Sequence, residues 1–129
     1  MRLRTAILDA LGVLAFAVVG VYSHHHTIPS FSHLMGVYLP FLAGWMGVAL
    51  LSRLYSAQPP RWAYLATWLV GTLLGVMLYS WVVQGRDVSL QSLSPIFWLI
   101  STVAVGLFTG LLRALNTLLT RKRTGLAGR

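Results

Sequence analysis

Four apolar runs divide this chain, at about 5–22, 33–54, 62–83 and 95–119. Each is close to the ~20 residues an α-helix needs to cross a bilayer. Between them stand "SHHHTIPSFS", "YSAQPPR" and "QGRDVSLQSLS", polar stretches carrying proline or glycine. In lipid each unpaired backbone group costs several kcal/mol, so a spanning run must satisfy itself as a helix. Barrel strands would alternate over about ten residues, and these runs do not. The expected fold class is all-α: a polytopic membrane protein with four transmembrane helices in a compact bundle over 1–119. A basic tail at 120–129 follows, and both termini are expected on the cytoplasmic side.

Composition agrees with lipid as the solvent. Only 9% of the 129 residues are charged and 57% are hydrophobic, whereas a soluble domain carries about 25% charged residues. The net charge of +8 is the footprint a nucleic-acid binder would show. Here, however, the cations stand at the ends of apolar runs, so no nucleic-acid partner is expected. The chain has no cysteine, which excludes disulfides, thiolate metal sites and thiol catalysis.

Two features test the span assignments. "MRLR" followed by Ala15-Phe16-Ala17 has the outline of a cleaved leader. That triplet lies inside the apolar run, and Asp9 interrupts the would-be hydrophobic region, so the run is kept as helix one. Pro40 falls within the second run. Residues 41–54 alone are too short to span, so Pro40 is expected inside the helix, where it removes one backbone bond and kinks the rod. A re-entrant start is the alternative. Ser94-Pro95 reads as an N-cap with proline at the first helical position.

With the N-terminus inside, nine basic residues (Arg2, Arg4, Arg53, Arg61, Arg113, Arg121, Lys122, Arg123, Arg129) face the cytoplasm and Arg86 alone faces outward. This is a strong positive-inside bias. An antiparallel homodimer needs balanced loop charges for dual insertion, and this chain lacks them.

Small residues recur at helical spacing: Gly12 and Gly20, Gly44, Gly71 and Gly75, Gly106 and Gly110. Such residues let apolar helices approach closely. Packing within the bundle is the plainer reading, and a dimer or partner interface is the sharper one. Asp9 falls on the face of helix one shared with Gly12, Phe16 and Gly20. An intramembrane carboxylate normally faces the bundle and has a partner. Arg113 lies at similar depth on helix four, continuing the Gly106–Gly110 stripe, so an Asp9–Arg113 pair is one expectation. The other is that Asp9 caps a frayed helix start while Arg113 snorkels to the headgroups. Asp9 could also serve as a proton or cation site.

Tyr22, Tyr55, Trp62, Tyr64 and Trp81 stand near span ends and read as belt residues. Trp45, Trp68 and Trp98 lie deeper and are expected against the glycine stripes. In the tail, Arg121, Lys122 and Arg123 suit attraction to anionic headgroups. The four histidines fall within "VYSHHHTIPSFSH", at the outer end of helix one and the start of helix two. His24, His26 and His33 are the candidates for a metal. A tetrahedral site needs four ligands, and Asp87 beside Arg86 is the one other candidate nearby. No cofactor is expected.

The segments "LDALGVLAFAVVGVYSH" (8–24), "PFLAGW" (40–45), "TWLVGTLLG" (67–75) and "GLLRAL" (110–115) carry a resemblance over nearly the whole chain. It resembles the small bacterial membrane proteins grouped as domain of unknown function 3054. The resemblance implies a four-helix protein of the bacterial inner membrane and supplies no activity. It marks Asp9, His24, Trp45 and Arg113 as positions to test. In that family helix one ends in Gly-Arg-x-x-His or a close variant. Gly20 and His24 match here, while Val21 stands at the arginine position. Relatives often carry another arginine beyond the glycines of helix three, where this chain has Leu78 and Tyr79. An activity resting on those arginines would be missing here.

Three function classes follow. The first is a non-catalytic helical module acting as accessory or assembly subunit of a larger membrane complex. The second is a small oligomeric transporter or ion conductor using Asp9, with Ser52, Thr67, Thr72, Ser101, Thr102, Thr109 and Asn116 as its thin polar lining. The third is an outward metal or haem site built on the histidines. Expected partners are the lipid bilayer and a membrane protein or further copies of this chain.

Overall fold

The computed structural model describes residues 2–25, 30–85 and 95–128. Among these there are four helices and no strands: α1 (Leu3–His25), α2 (Phe31–Leu51), α3 (Arg61–Val83) and α4 (Pro95–Ala127). All four are long and apolar enough to cross a membrane. They form a ring in which α1 packs on α2 and α4, and α3 packs on α2 and α4.

The Arg2 amide donates to the Tyr55 carbonyl at 2.8 Å. This puts the start of α1 beside the α2–α3 connection. Neighbouring helices therefore run antiparallel, and the C-terminal half of α4 lies at this same, arginine-bearing end. The opposite half is an aromatic layer. Phe41 stacks edge-on to Phe16 at 4.8 Å and to Phe97 at 6.4 Å, and Tyr79 lies 5.9 Å from Phe97.

The bounds of α2 and α4 differ from the sequence expectation for local reasons, and α1 reaches Leu3–His25 against the expected 5–22. Helix α2 begins at Phe31, because Ser30 Oγ accepts the His33 amide at 3.3 Å and caps it. It passes through the buried Pro40 without interruption. It stops at Leu51, short of the expected residue 54, because Arg53 adopts a left-handed conformation at φ 60°. The Leu54 amide then bonds to the Ala49 carbonyl and the Arg53 amide to that of Leu50. That is the Schellman pattern, in which glycine usually holds the left-handed position. A side chain there costs on the order of 1 kcal/mol. Arg53→Gly is accordingly expected to raise the unfolding free energy by about 1 kcal/mol, read by thermal unfolding in detergent.

Helix α3 contains two π-helical stretches, Thr67–Gly71 and Tyr79–Val83. Helix α4 continues unbroken through the expected tail, beyond residue 119. The threonines along this stretch spend their hydroxyls within the helix: Thr117, Thr120 and Thr124 each donate to the carbonyl four residues earlier. Ser94, Arg86 and Asp87 lie outside the described residues.

Candidate functional site

The buried stripe of α1 runs through Ala6, Asp9, Val13, Phe16 and Ala17, at the spacing of one helix face. Asp9 is therefore aimed into the bundle by the same periodicity that buries its apolar neighbours, and it has no exposed surface at all. A bare carboxylate there would be very costly, since burying a charge is tolerated only with pairing and hydrogen bonds. Four donors surround it. Arg113 grips it side-on, with Nε donating to Oδ1 at 2.8 Å and Nη2 donating to Oδ2. Tyr55 Oη donates to Oδ2 at 2.7 Å and Trp45 Nε1 donates to it at 3.2 Å. The Trp45 N–H is shared with Tyr55 Oη at 3.0 Å.

The remaining contacts hold the arginine. The Arg113 guanidinium carbon lies 4.6 Å from the centre of the Tyr64 ring, a cation–π geometry. The Tyr64 hydroxyl shares a hydrogen bond with Thr109 Oγ1 at 3.0 Å, and its ring meets Trp45 edge-on at 6.1 Å. Every helix thus contributes: Asp9 from α1, Trp45 from α2, Tyr64 from α3, Arg113 and Thr109 from α4, with Tyr55 from the α2–α3 connection. Close approach of α1 and α4 makes the side-on pair possible. A Cβ on Gly12 would stand 2.8 Å from Thr109 Cγ2 and 3.0 Å from Thr109 Cα.

Tyr55 and Tyr64 are not belt residues. Tyr55 is buried because the left-handed turn at Arg53 folds the chain back over the bundle end. Tyr64 is half-buried against Arg113. The signal for this lay in two unmet needs: a buried carboxylate wants several donors, and a mid-helix tryptophan wants a partner for its N–H. Tyr22 and Trp62 are exposed, as ring residues at span ends can be.

Burial raises the Tyr55 phenol above its usual range, and the charge of Asp9 beside it adds to the rise. Below about pH 10 the phenol is protonated in folded and unfolded chains alike. Above that the unfolded chain loses the proton first, so stability falls as pH rises beyond about 10. Spectrophotometric titration is expected to show one tyrosine resisting ionisation past the others, and Tyr55→Phe is expected to remove it.

A family model described as a protein of unknown function (DUF3054) matches residues 6–116. The chain belongs to the DUF3054 family. No curated protein and no solved structure matches it. The DUF3054 match contains Asp9, Trp45, Tyr55, Tyr64 and Arg113 and ends before Arg121, so it covers the bundle and leaves out the last turns of α4.

Within the DUF3054 bundle the glycines differ in use. A Cβ on Gly44 would lie 2.6 Å from the Gly75 nitrogen and 2.7 Å from the Gly71 oxygen, so α2 and α3 touch backbone to backbone. Gly71 faces the Trp45 backbone, Gly75 faces Phe41, and Gly106 lies under the Trp68 ring. Gly110 has the Tyr64 hydroxyl at an ordinary 3.6 Å. Gly20 has nothing within 4 Å and does not belong with the packing glycines.

The polar residues weighed as a transport lining largely spend their hydroxyls locally. Thr67, Thr72, Thr102 and Thr109 each donate to the carbonyl one turn earlier in their own helix. Ser52 Oγ pairs with Thr67 Oγ1 at 3.1 Å. Ser101 Oγ is buried without a hydrogen bond, and Asn116 is partly exposed near the bundle end. Of the histidines, His24 is placed by its backbone in the last turn of α1, His26 lies outside the described residues, and His33 is in the first turn of α2. Among the described residues no three metal-ligating side chains converge. Arg121, Lys122 and Arg123 are all exposed on α4.

Proposed function

We propose that this DUF3054 member is a non-catalytic helical membrane module, an accessory or assembly subunit of a larger membrane complex. In this reading it resides in the bacterial cytoplasmic membrane with both termini inside. One observation carries the proposal: the intramembrane carboxylate Asp9 is fully enclosed, and its oxygens are occupied by four donors from three other parts of the fold. A carboxylate that moves protons or cations must exchange partners and meet water. Asp9 is instead held as one half of a neutral cross-link between α1 and α4. Its chemistry is spent on making the bundle rigid, which is what a subunit offering a fixed outer surface needs. Among the described residues, Arg2, Arg4, Arg53, Arg61, Arg121, Lys122 and Arg123 stand at the end of the bundle that holds the α2–α3 connection, which supports the orientation.

The test is purification from native membranes in mild detergent, followed by native mass spectrometry. A heterologous membrane protein in fixed stoichiometry is the expected result. A homo-oligomer that conducts cations in liposomes, and loses conduction in Asp9→Asn, would overturn the proposal in favour of a transporter.

A further inference from the structure

Helix α4 is longer than a membrane is thick. Its 33 residues extend about 50 Å, against a hydrocarbon core of about 30 Å. The Asp9–Arg113 pair gives the two helices a common level. Arg2 stands seven residues before Asp9, about 10 Å away along the axis, and Arg121 stands eight residues after Arg113, about 12 Å away. Arg2 is tied to the α2–α3 connection through the Tyr55 and Ala57 carbonyls, and Arg53 and Arg61 flank that connection. The cations Arg2, Arg53 and Arg61 therefore share a level with Arg121, Lys122 and Arg123. Among the described residues the one carboxylate side chain is Asp9, and Arg113 already neutralises it. Anions for this ring must come from outside the described chain.

The two faces of α4 beyond Arg113 differ. The row continuing its bundle-facing side is mostly polar: Asn116, Thr120 and Arg123, with Leu119. The row continuing its lipid-facing side is apolar: Leu111 leads to Leu115 and Leu118, the last 59% exposed. On this side of α4, Leu115 and Leu118 share an open surface with Leu119, Arg121 and Lys122. An amphipathic helix with cations bordering its apolar face suits the boundary between headgroups and acyl chains. The geometry points to this end of α4, together with the basic ring, as a docking surface for anionic phospholipid: the leucines lie against acyl chains and the cations against headgroup phosphates. Arg53 fits the same account, since it keeps a cation at this level in a backbone position that glycine would fill at lower cost. This inference does not depend on the proposed accessory role.

The test uses the full chain in nanodiscs of phosphatidylcholine alone and of phosphatidylcholine with phosphatidylglycerol. Native mass spectrometry of the ejected protein is expected to show selective retention of phosphatidylglycerol. The triple variant Arg121→Gln, Lys122→Gln, Arg123→Gln should weaken that selectivity on the order of 100-fold, from about a fivefold effect per charge. Because the chain has no cysteine, Leu118→Cys and Thr120→Cys can each carry a single environment-sensitive dye. Lipid-borne quenchers should reach the dye at 118 more strongly than at 120, and more so with phosphatidylglycerol present. Equal retention by wild type and triple variant, or equal quenching at 118 and 120, would overturn the proposal. So would shielding at 118 that grows with the number of protein copies per disc, since a second copy would then cover the row.

Discussion

Arg113→Met is expected to lower the unfolding free energy by about 3–5 kcal/mol, the usual cost of breaking a buried pair from one side. The arginine supplies two of the four donors to Asp9 and all of its counter-charge. Without it Asp9 remains fully buried with only the Tyr55 hydroxyl and the Trp45 N–H as partners. The carboxylate must then take up a proton or draw water into the bundle. Methionine keeps much of the apolar stem, so lost packing alone would not produce a change of this size. The double variant Asp9→Leu, Arg113→Met should recover most of the loss, because removing both charges leaves nothing unpaired. Unfolding titrations of the two single variants and the double variant, in one bicelle composition, check both statements.

The second large effect is expected at Gly44→Ala, with a loss of about 3 kcal/mol, the upper end for overpacking. The added methyl would meet the Gly75 nitrogen at 2.6 Å and the Gly71 oxygen at 2.7 Å. Both are backbone atoms, which cannot rotate aside, so α2 and α3 must separate. That separation would carry Trp45 away from Asp9, because Trp45 is the next residue along α2. Gly20→Ala is the matched control. Its methyl meets nothing within 4 Å, and its change should stay within about 0.5 kcal/mol. The same unfolding titration separates the two variants.

The spans were legible because lipid forces every backbone group into a long self-satisfied apolar run. Their ends were less so. The end of α2 depends on a single left-handed residue, Arg53, that no propensity favours. The end of α4 was misplaced because the limit of an apolar run is not the limit of a helix. Arginine, lysine and leucine are all good helix formers, so the rod continues past the apolar run.

At the site, the depth and helical phase of Asp9 and Arg113 admitted either a pair or two separate interfacial groups. The structure brings them together through the close approach at Gly12. Tyr55 was hidden because its burial depends on the turn, not on its distance from a span. Gly20 shares a face with Gly12, yet phase along one helix does not say where the neighbouring helix has gone. The π-helical stretches of α3 left no pattern in the sequence.

The most direct test of the structural role of Asp9 is the thermal unfolding of Asp9→Asn beside wild type in detergent. The exchange keeps the shape, removes the charge and turns one acceptor oxygen into an amide NH2, which can only donate. Arg113 would lose its counter-ion, and Oδ2 would lose strength as acceptor for Tyr55 and Trp45. The expected result is a melting temperature lower by on the order of 10 °C, from a loss near 3 kcal/mol in a chain of this size. A variant that melts with wild type would contradict it, and would leave the buried carboxylate free for some other work.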